Sequence, residues 1–160
     1  MPRHPTRPDE SRASIEISEA CYAARVRLVG RMVTRIYETA LRPLGLTTAQ
    51  MNILVLTSRL GEASAARICG ILWLDPSTLS RNLERLQARG LITQRPGTDR
   101  RSRLLWVTRK GADTLAEALP LWRGAQSEVE KALGRATAVS VKAVGDRLLA
   151  EGFSREKTDD

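Results

Sequence analysis

In the segment DPSTLSRNLERLQAR, residues 75–89, Ser77, Arg81 and Arg85 recur at every fourth position. At about 100° per residue, that spacing places them along one side of a helix. Leu79, Leu83 and Leu86 lie on the opposite side and define the face that packs inward, while Thr78, Ser80 and Asn82 flank the polar row. These side chains have a shared chemistry. An arginine pairs with both acceptors on the edge of guanine, an asparagine does the same with adenine, and hydroxyls reach phosphates or base edges. Glu84, on the same side, can accept from a cytosine amine or restrain a neighbouring arginine, and the residues leave both open.

A second group follows at Thr98-Asp99-Arg100-Arg101-Ser102-Arg103. Three arginines at the tip of a hairpin suit a narrow minor groove, where negative potential is concentrated. Asp99 stands two residues before Arg101 and can direct its guanidinium through a two-point bond, which a merely solvated loop would not need. The chain carries a formal charge of +8. Charge alone does not separate nucleic acid from an anionic membrane as partner, but its placement is informative. Between Asp75 and Lys110 there are nine basic residues (Arg81, Arg85, Arg89, Arg95, Arg100, Arg101, Arg103, Arg109, Lys110) and three acidic ones (Asp75, Glu84, Asp99).

The surrounding elements must hold these two groups in place. Residues 1–14, with prolines at 2, 5 and 8, read as a flexible arm. From Ser18 to Leu44, apolar residues recur at helical spacing, and Pro43 and Gly45 end the run. Thr47 or Thr48 can cap the next helix, and a short one spans Ser64 to Leu72. Asp75 is a natural cap for the helix of Ser77 to Arg89, with Pro76 at its first position and Gly90 at its end. The period then changes to that of two strands, Leu91–Thr93 and Leu104–Thr108, around turn chemistry at Pro96-Gly97. Helix resumes from Ala112 to Leu133, with a kink expected at Pro120, and again from Thr137 to Ala150. The predicted fold is mainly α with a small β-hairpin wing: a winged helix-turn-helix with a helical dimerisation region. Residues 15–45 and 112–152 are expected to form that dimerisation region, 46–111 the DNA-binding lobe and 153–160 a polar tail.

Other classes of function fit less well. The single histidine, His4, lies in the arm, and neither a phosphate-cradling glycine loop nor a cluster of metal ligands is present, so no enzyme, cofactor or metal is expected. Two cysteines are too few for a disulfide framework in a chain of this size. No apolar run reaches the ~20 residues of a membrane span, and the basic, proline-rich N-terminus has no signal-peptide core, so the expected location is the cytoplasm.

Pro43-Leu44-Gly45-Leu46-Thr47 with Gln50, Asp75-Pro76-Ser77-Thr78-Leu79-Ser80-Arg81-Asn82-Leu83, Gly90-Leu91-Ile92, Asp99-Arg100-Arg101-Ser102 and Val107-Thr108-Arg109-Lys110-Gly111 together resemble the signature of the MarR family over about residues 18 to 150. The resemblance implies a homodimer whose first and last helices interlock. It also implies a recognition helix at 75–89, a wing at 96–103, and repression at a pseudo-palindromic double-stranded operator, released by a small aromatic or weakly acidic ligand. Arg101 matches the wing arginine that enters the minor groove, and Asp99 the residue that orients it.

The signal is harder to read. Arg25, Arg31 and Tyr37 are candidate effector contacts, although a solvated stripe beside a core tyrosine is the simpler account of them. Cys21 lies near the region where the peroxide-sensing branch of the family keeps its reactive thiol, but it is displaced from it by roughly half a turn. A thiol-based redox sensor through Cys21, or a winged-helix module that binds protein, are the alternative readings. Cys69 and the tryptophans at 73, 106 and 122 read as packing residues.

Overall fold

The computed structural model describes residues 8–97 and 103–154, with side chains from residue 12 onward. The elements run α1 (Pro8–Ala20), α2 (Tyr22–Leu41), a 3-10 turn (Arg42–Leu44), α3 (Thr48–Leu60), β1 (Ala63–Ser64), α4 (Ala65–Leu72), α5 (Pro76–Ala88), β2 (Ile92–Pro96), β3 (Arg103–Val107), α6 (Arg109–Leu133) and α7 (Arg135–Ser154). The described residues fall into two compact units, the first ending at Arg35 and the second beginning at Ile36. Among them, no helix is long and apolar enough to cross a membrane.

In the first unit, helix begins at Pro8, inside the segment read from sequence as an arm. The proline has no N–H to lose at a helix start, so the last of the prolines in that segment opens a helix. Cys21 separates α1 from α2.

The second unit holds the core. Leu41, Ile53, Leu54, Ile68, Leu86 and Leu105 are at most 1% exposed and come from five different elements. Local chemistry sets each helix start. The Thr47 hydroxyl accepts from the Gln50 N–H while Gln50 Oε1 accepts from the Thr47 N–H, a reciprocal capping box. Ser64, Asp75 and Thr108 cap α4, α5 and α6 in the same way from one side.

The sheet has three antiparallel strands in the order β1-β3-β2. β1 was not expected: its two residues, opposite Leu104 and Leu105, are too short to show a period of two. The hairpin is in the register Ile92↔Val107 to Pro96↔Arg103, which puts Pro96 on an edge strand, where a missing N–H costs no ladder bond.

One residue, Thr108, connects β3 to α6. Its hydroxyl donates to the Gly90 carbonyl at 2.7 Å and accepts from the Gly111 N–H at 3.0 Å, and its own N–H donates to the Leu91 carbonyl. Gly111 is buried; a Cβ there would run into the Leu91 carbonyl oxygen and lie 2.7 Å from Val107 Cγ1. The Thr-x-x-Gly spacing thus marks where helix and hairpin touch. α6 continues through Pro120.

Candidate nucleic-acid interface

Helix α5 presents the two faces expected of it. Leu79, Leu83 and Leu86 are buried, and Ser77, Ser80, Arg81 and Arg85 are exposed on the other side, with Thr78 and Asn82 half-buried between. Asp75 organises the start of the helix. Its carboxylate accepts from the Ser77 hydroxyl at 2.6 Å, the Thr78 hydroxyl at 2.7 Å and the Thr78 N–H at 2.9 Å. Those bonds, the Ser77 hydroxyl first, hold the Asp75 carboxyl well below the ordinary carboxylate range.

This arrangement assigns the free hydrogen-bonding capacity. With both hydroxyl protons committed to Asp75, Ser77 and Thr78 offer lone pairs outward rather than donors. Asn82 donates back to the Thr78 carbonyl at 2.9 Å, and Glu84 accepts from the Ser80 hydroxyl at 3.3 Å rather than from an arginine. The donors facing solvent are therefore the guanidiniums of Arg81 and Arg85; Arg81 also reaches Ser77 Oγ at a marginal 3.5 Å.

The basic residues between Asp75 and Lys110 divide into two sets. Arg89, Arg109 and Lys110 make contacts within the chain. Arg89 donates to the carbonyls of Leu44 and Gly45, Lys110 to the carbonyl of Arg89 at 2.9 Å, and Arg109 pairs with Asp113 at 3.0 Å. Arg81, Arg85, Arg95 and Arg103 are exposed. Of the proposed wing residues, Arg103 opens β3, while Asp99, Arg100 and Arg101 lie outside the described residues.

Arg95 was counted in the sequence only as one of the basic charges, without a partner. Its guanidinium lies 5.2 Å from the ring centroid of Trp106, within the range of a cation–π contact. Opposite each other stand Arg95 and Leu104, and Thr93 and Trp106, so the pair is a diagonal on one face of the hairpin, visible only once the register is known.

Each candidate sensing residue has its own local surroundings. Arg25 donates to the carbonyls of Ser18 and Cys21, both at 3.1 Å, and to that of Glu19. Arg31 is exposed. The Tyr37 hydroxyl donates to Gln126 Oε1, and burial, then the Glu130 carboxylate, push the phenol above its usual pKa. Cys21, half-buried, faces a shallow hollow with Ile17 and Tyr22. A separate apolar cavity of about 270 Å³, unsuspected from sequence, lies between α3 and α6 and is lined by Met51, Asn52, Val55, Leu115, Leu119 and Trp122. Cys69 packs against the core, and burial, then Asp75, raise its thiol pKa. Trp122 also packs there, but Trp73 is half exposed, contrary to expectation.

Comparison with known proteins agrees with this architecture. A model of the MarR family matches residues 44–102. An uncharacterised HTH-type transcriptional regulator of Bacillus subtilis, YwoH, is 26% identical over 80 residues, half of this chain; the chain spans 58% of the length of that relative. Among solved structures, the Mycobacterium tuberculosis transcriptional regulator MosR in complex with DNA is 31% identical, with a TM-score of 0.68 over 81% of this chain and 97% of that one. A variant of MarR from E. coli bound to operator DNA gives a TM-score of 0.73 at 21% identity, over 83% of this chain and 96% of that one. Bordetella bronchiseptica BpsR, whose DNA binding is regulated by 6-hydroxynicotinic acid, gives 0.69 at 22% identity, over 79% and 96%. The likeness to MosR spans nearly all of that protein, and the family match falls on the helix-turn-helix and wing, so this chain belongs to the MarR family, whose members are DNA-binding transcriptional regulators and not enzymes.

Proposed function

We propose that this protein is a sequence-specific repressor that binds a pseudo-palindromic double-stranded operator as a homodimer and is released by a small aromatic or weakly acidic effector. The observation that carries the reading is the exposed row of Arg81 and Arg85 on α5, opposite three buried leucines and capped by Asp75. Such a helix can enter a major groove without disturbing the core that supports it. Arg95, Arg103 and, from the family resemblance, Asp99, Arg100 and Arg101 extend the surface along the wing.

Dimerisation through residues 15–45 and 112–152 is supported by apolar side chains left in solvent. Ile17 and Val26 are 66% and 68% exposed, and Val139, Val141 and Val144 are exposed along α7. A symmetric partner would cover them. The α3–α6 cavity supports the effector reading. Its volume is at the small end for ligand sites, suited to a single ring, and the polar group on its wall is Asn52. The regulator works in the cytoplasm, where its operator is.

Selection of bound duplexes from random DNA tests the reading. The expected result is an enriched sequence with two-fold symmetry and half-sites about one helical turn apart. Binding should fall steeply with salt, as phosphate contacts require. Failure to enrich any sequence would refute it.

A further inference from the structure

Trp73 has a positive φ of 53°, and among the described residues it is the one non-glycine residue that does. It ends α4, and its N–H donates to the Cys69 carbonyl. In the left-handed region a Cβ crowds its own backbone, so a bulky residue persists there only when its surroundings hold it. Burial does not supply the restraint, because Trp73 is 53% exposed.

Helix α7 does supply one. The Trp73 indole N–H donates to the Leu148 carbonyl at 3.4 Å, a long bond but one that spans two elements. One turn further along α7, Gly152 is buried, and a Cβ there would lie 2.7 Å from Ile71 Cα and 3.3 Å from the Gly70 carbonyl oxygen. Backbone therefore rests on backbone at that crossing. Phe153 packs against the core beside it. The end of α7 thus touches α4 at its last turn and again at the turn that follows, two residues before Asp75 starts α5.

We propose that Trp73 and Gly152 are positioning residues for DNA recognition: together they clasp the end of α7 onto the helix-turn-helix and set the direction in which α5 leaves the turn. The positioning role rests on the DNA-binding reading above; the clasp itself does not. An α7 held in this way joins a helix with exposed valines to the helix carrying Arg81 and Arg85.

The test uses the full chain and three variants, Trp73→Gly, Trp73→Phe and Gly152→Ala. Without DNA, Trp73→Gly should keep its melting temperature within about 4 °C, since glycine adopts the left-handed turn without strain. Amide exchange across residues 146–154 should nevertheless rise about tenfold in Trp73→Gly and Gly152→Ala. On the duplex enriched by the wild-type protein, both should bind about tenfold more weakly, with binding to random duplex unchanged. Trp73→Phe, which keeps the ring and drops the N–H, should fall between. Wild-type exchange in Trp73→Gly overturns the clasp, and wild-type operator affinity in that variant overturns the positioning role. Parallel loss on enriched and random duplex also overturns that role, as a merely structural effect. Should Gly152→Ala not fold, the two Trp73 variants decide the matter. If the wild-type protein enriches no sequence, the DNA reading and the positioning role fall together, and exchange alone decides the clasp.

Discussion

Arg89, the last residue before the glycine that follows α5, donates from Nη1 to the carbonyl of Gly45 at 2.6 Å. Its other terminal nitrogen donates to Leu44 at 2.7 Å, so one planar fork holds the end of α5 against the turn that follows α2. Arg89→Ala should lower the stability of the fold by about 1 to 3 kcal/mol, the range for bonds to a charged donor on a half-exposed group. Arg89→Lys should recover only part, because an ammonium lacks the fork. Urea unfolding measures both, and the salt dependence of DNA binding should be the same in all three proteins, since this guanidinium is occupied. A shallower salt slope in Arg89→Ala would reassign it to a phosphate.

Among the described residues, the contact of Arg81 is the marginal one to Ser77 Oγ at 3.5 Å. Arg81→Ala should weaken binding to the enriched operator by about 1 to 3 kcal/mol and relax its sequence preference, with no change in melting temperature. Equal loss on operator and random duplex would instead mean a phosphate contact.

For the wing, Asp99→Ala should weaken operator binding although it removes a negative charge. If Asp99 directs Arg101 as the family resemblance implies, an Arg101 without that carboxylate must be ordered on binding, at roughly 0.5 to 1.5 kcal/mol. Arg101→Ala should cost more, and adding Asp99→Ala to it little further. A double-mutant cycle at fixed salt checks this; strictly additive losses would make the wing a patch of charge.

Gly111→Ala should destabilise the fold by about 1 to 3 kcal/mol or more, the cost of forcing a methyl group into a packed contact. Here the obstructing atom is the Leu91 backbone carbonyl, which cannot swing aside as a side-chain end can. Thermal unfolding reads the loss, and a variant as stable as wild type would mean that the helix–hairpin junction has slack.

The thiol of Cys69 is raised above its ordinary pKa by burial and then by the Asp75 charge, so the thiolate, which is the reactive form, appears at higher pH than in a free cysteine. Alkylation of the native protein at Cys69 should therefore reach half its limiting rate at a higher pH than in a free cysteine, and in denaturant the midpoint should move down. Peptide mapping after timed labelling follows the site; fast labelling near neutral pH would contradict the raised pKa.

Much of α5 was legible because its signals are local. Leu79, Leu83 and Leu86 recur at helical spacing, and Asp75-Pro76 is a start signal that needs no tertiary information. The Thr-x-x-Gly run could be recognised but not explained, since its reason is a contact with Leu91, twenty residues away. Arg89 was counted with the basic surface because its partners are the backbone carbonyls of residues 44 and 45, which no side-chain pattern records. The pairing of Arg95 with Trp106 depends on a register, and the α3–α6 cavity on how two helices pack. Pro8 misled because proline both breaks helices and opens them.

The junction at Thr108 is one residue long. β3 ends at Val107 and α6 begins at Arg109, with the intervening residue bonded on both sides, so hairpin and helix form a single lever. The arm is long: 25 residues at 1.5 Å each make about 37 Å. Pivoting α6 by about 5° at its Leu133 end would sweep the root of the wing through roughly 3 Å, about a hydrogen-bond length. A motion too small to disturb the far end could therefore lift a wing residue out of reach of a base edge.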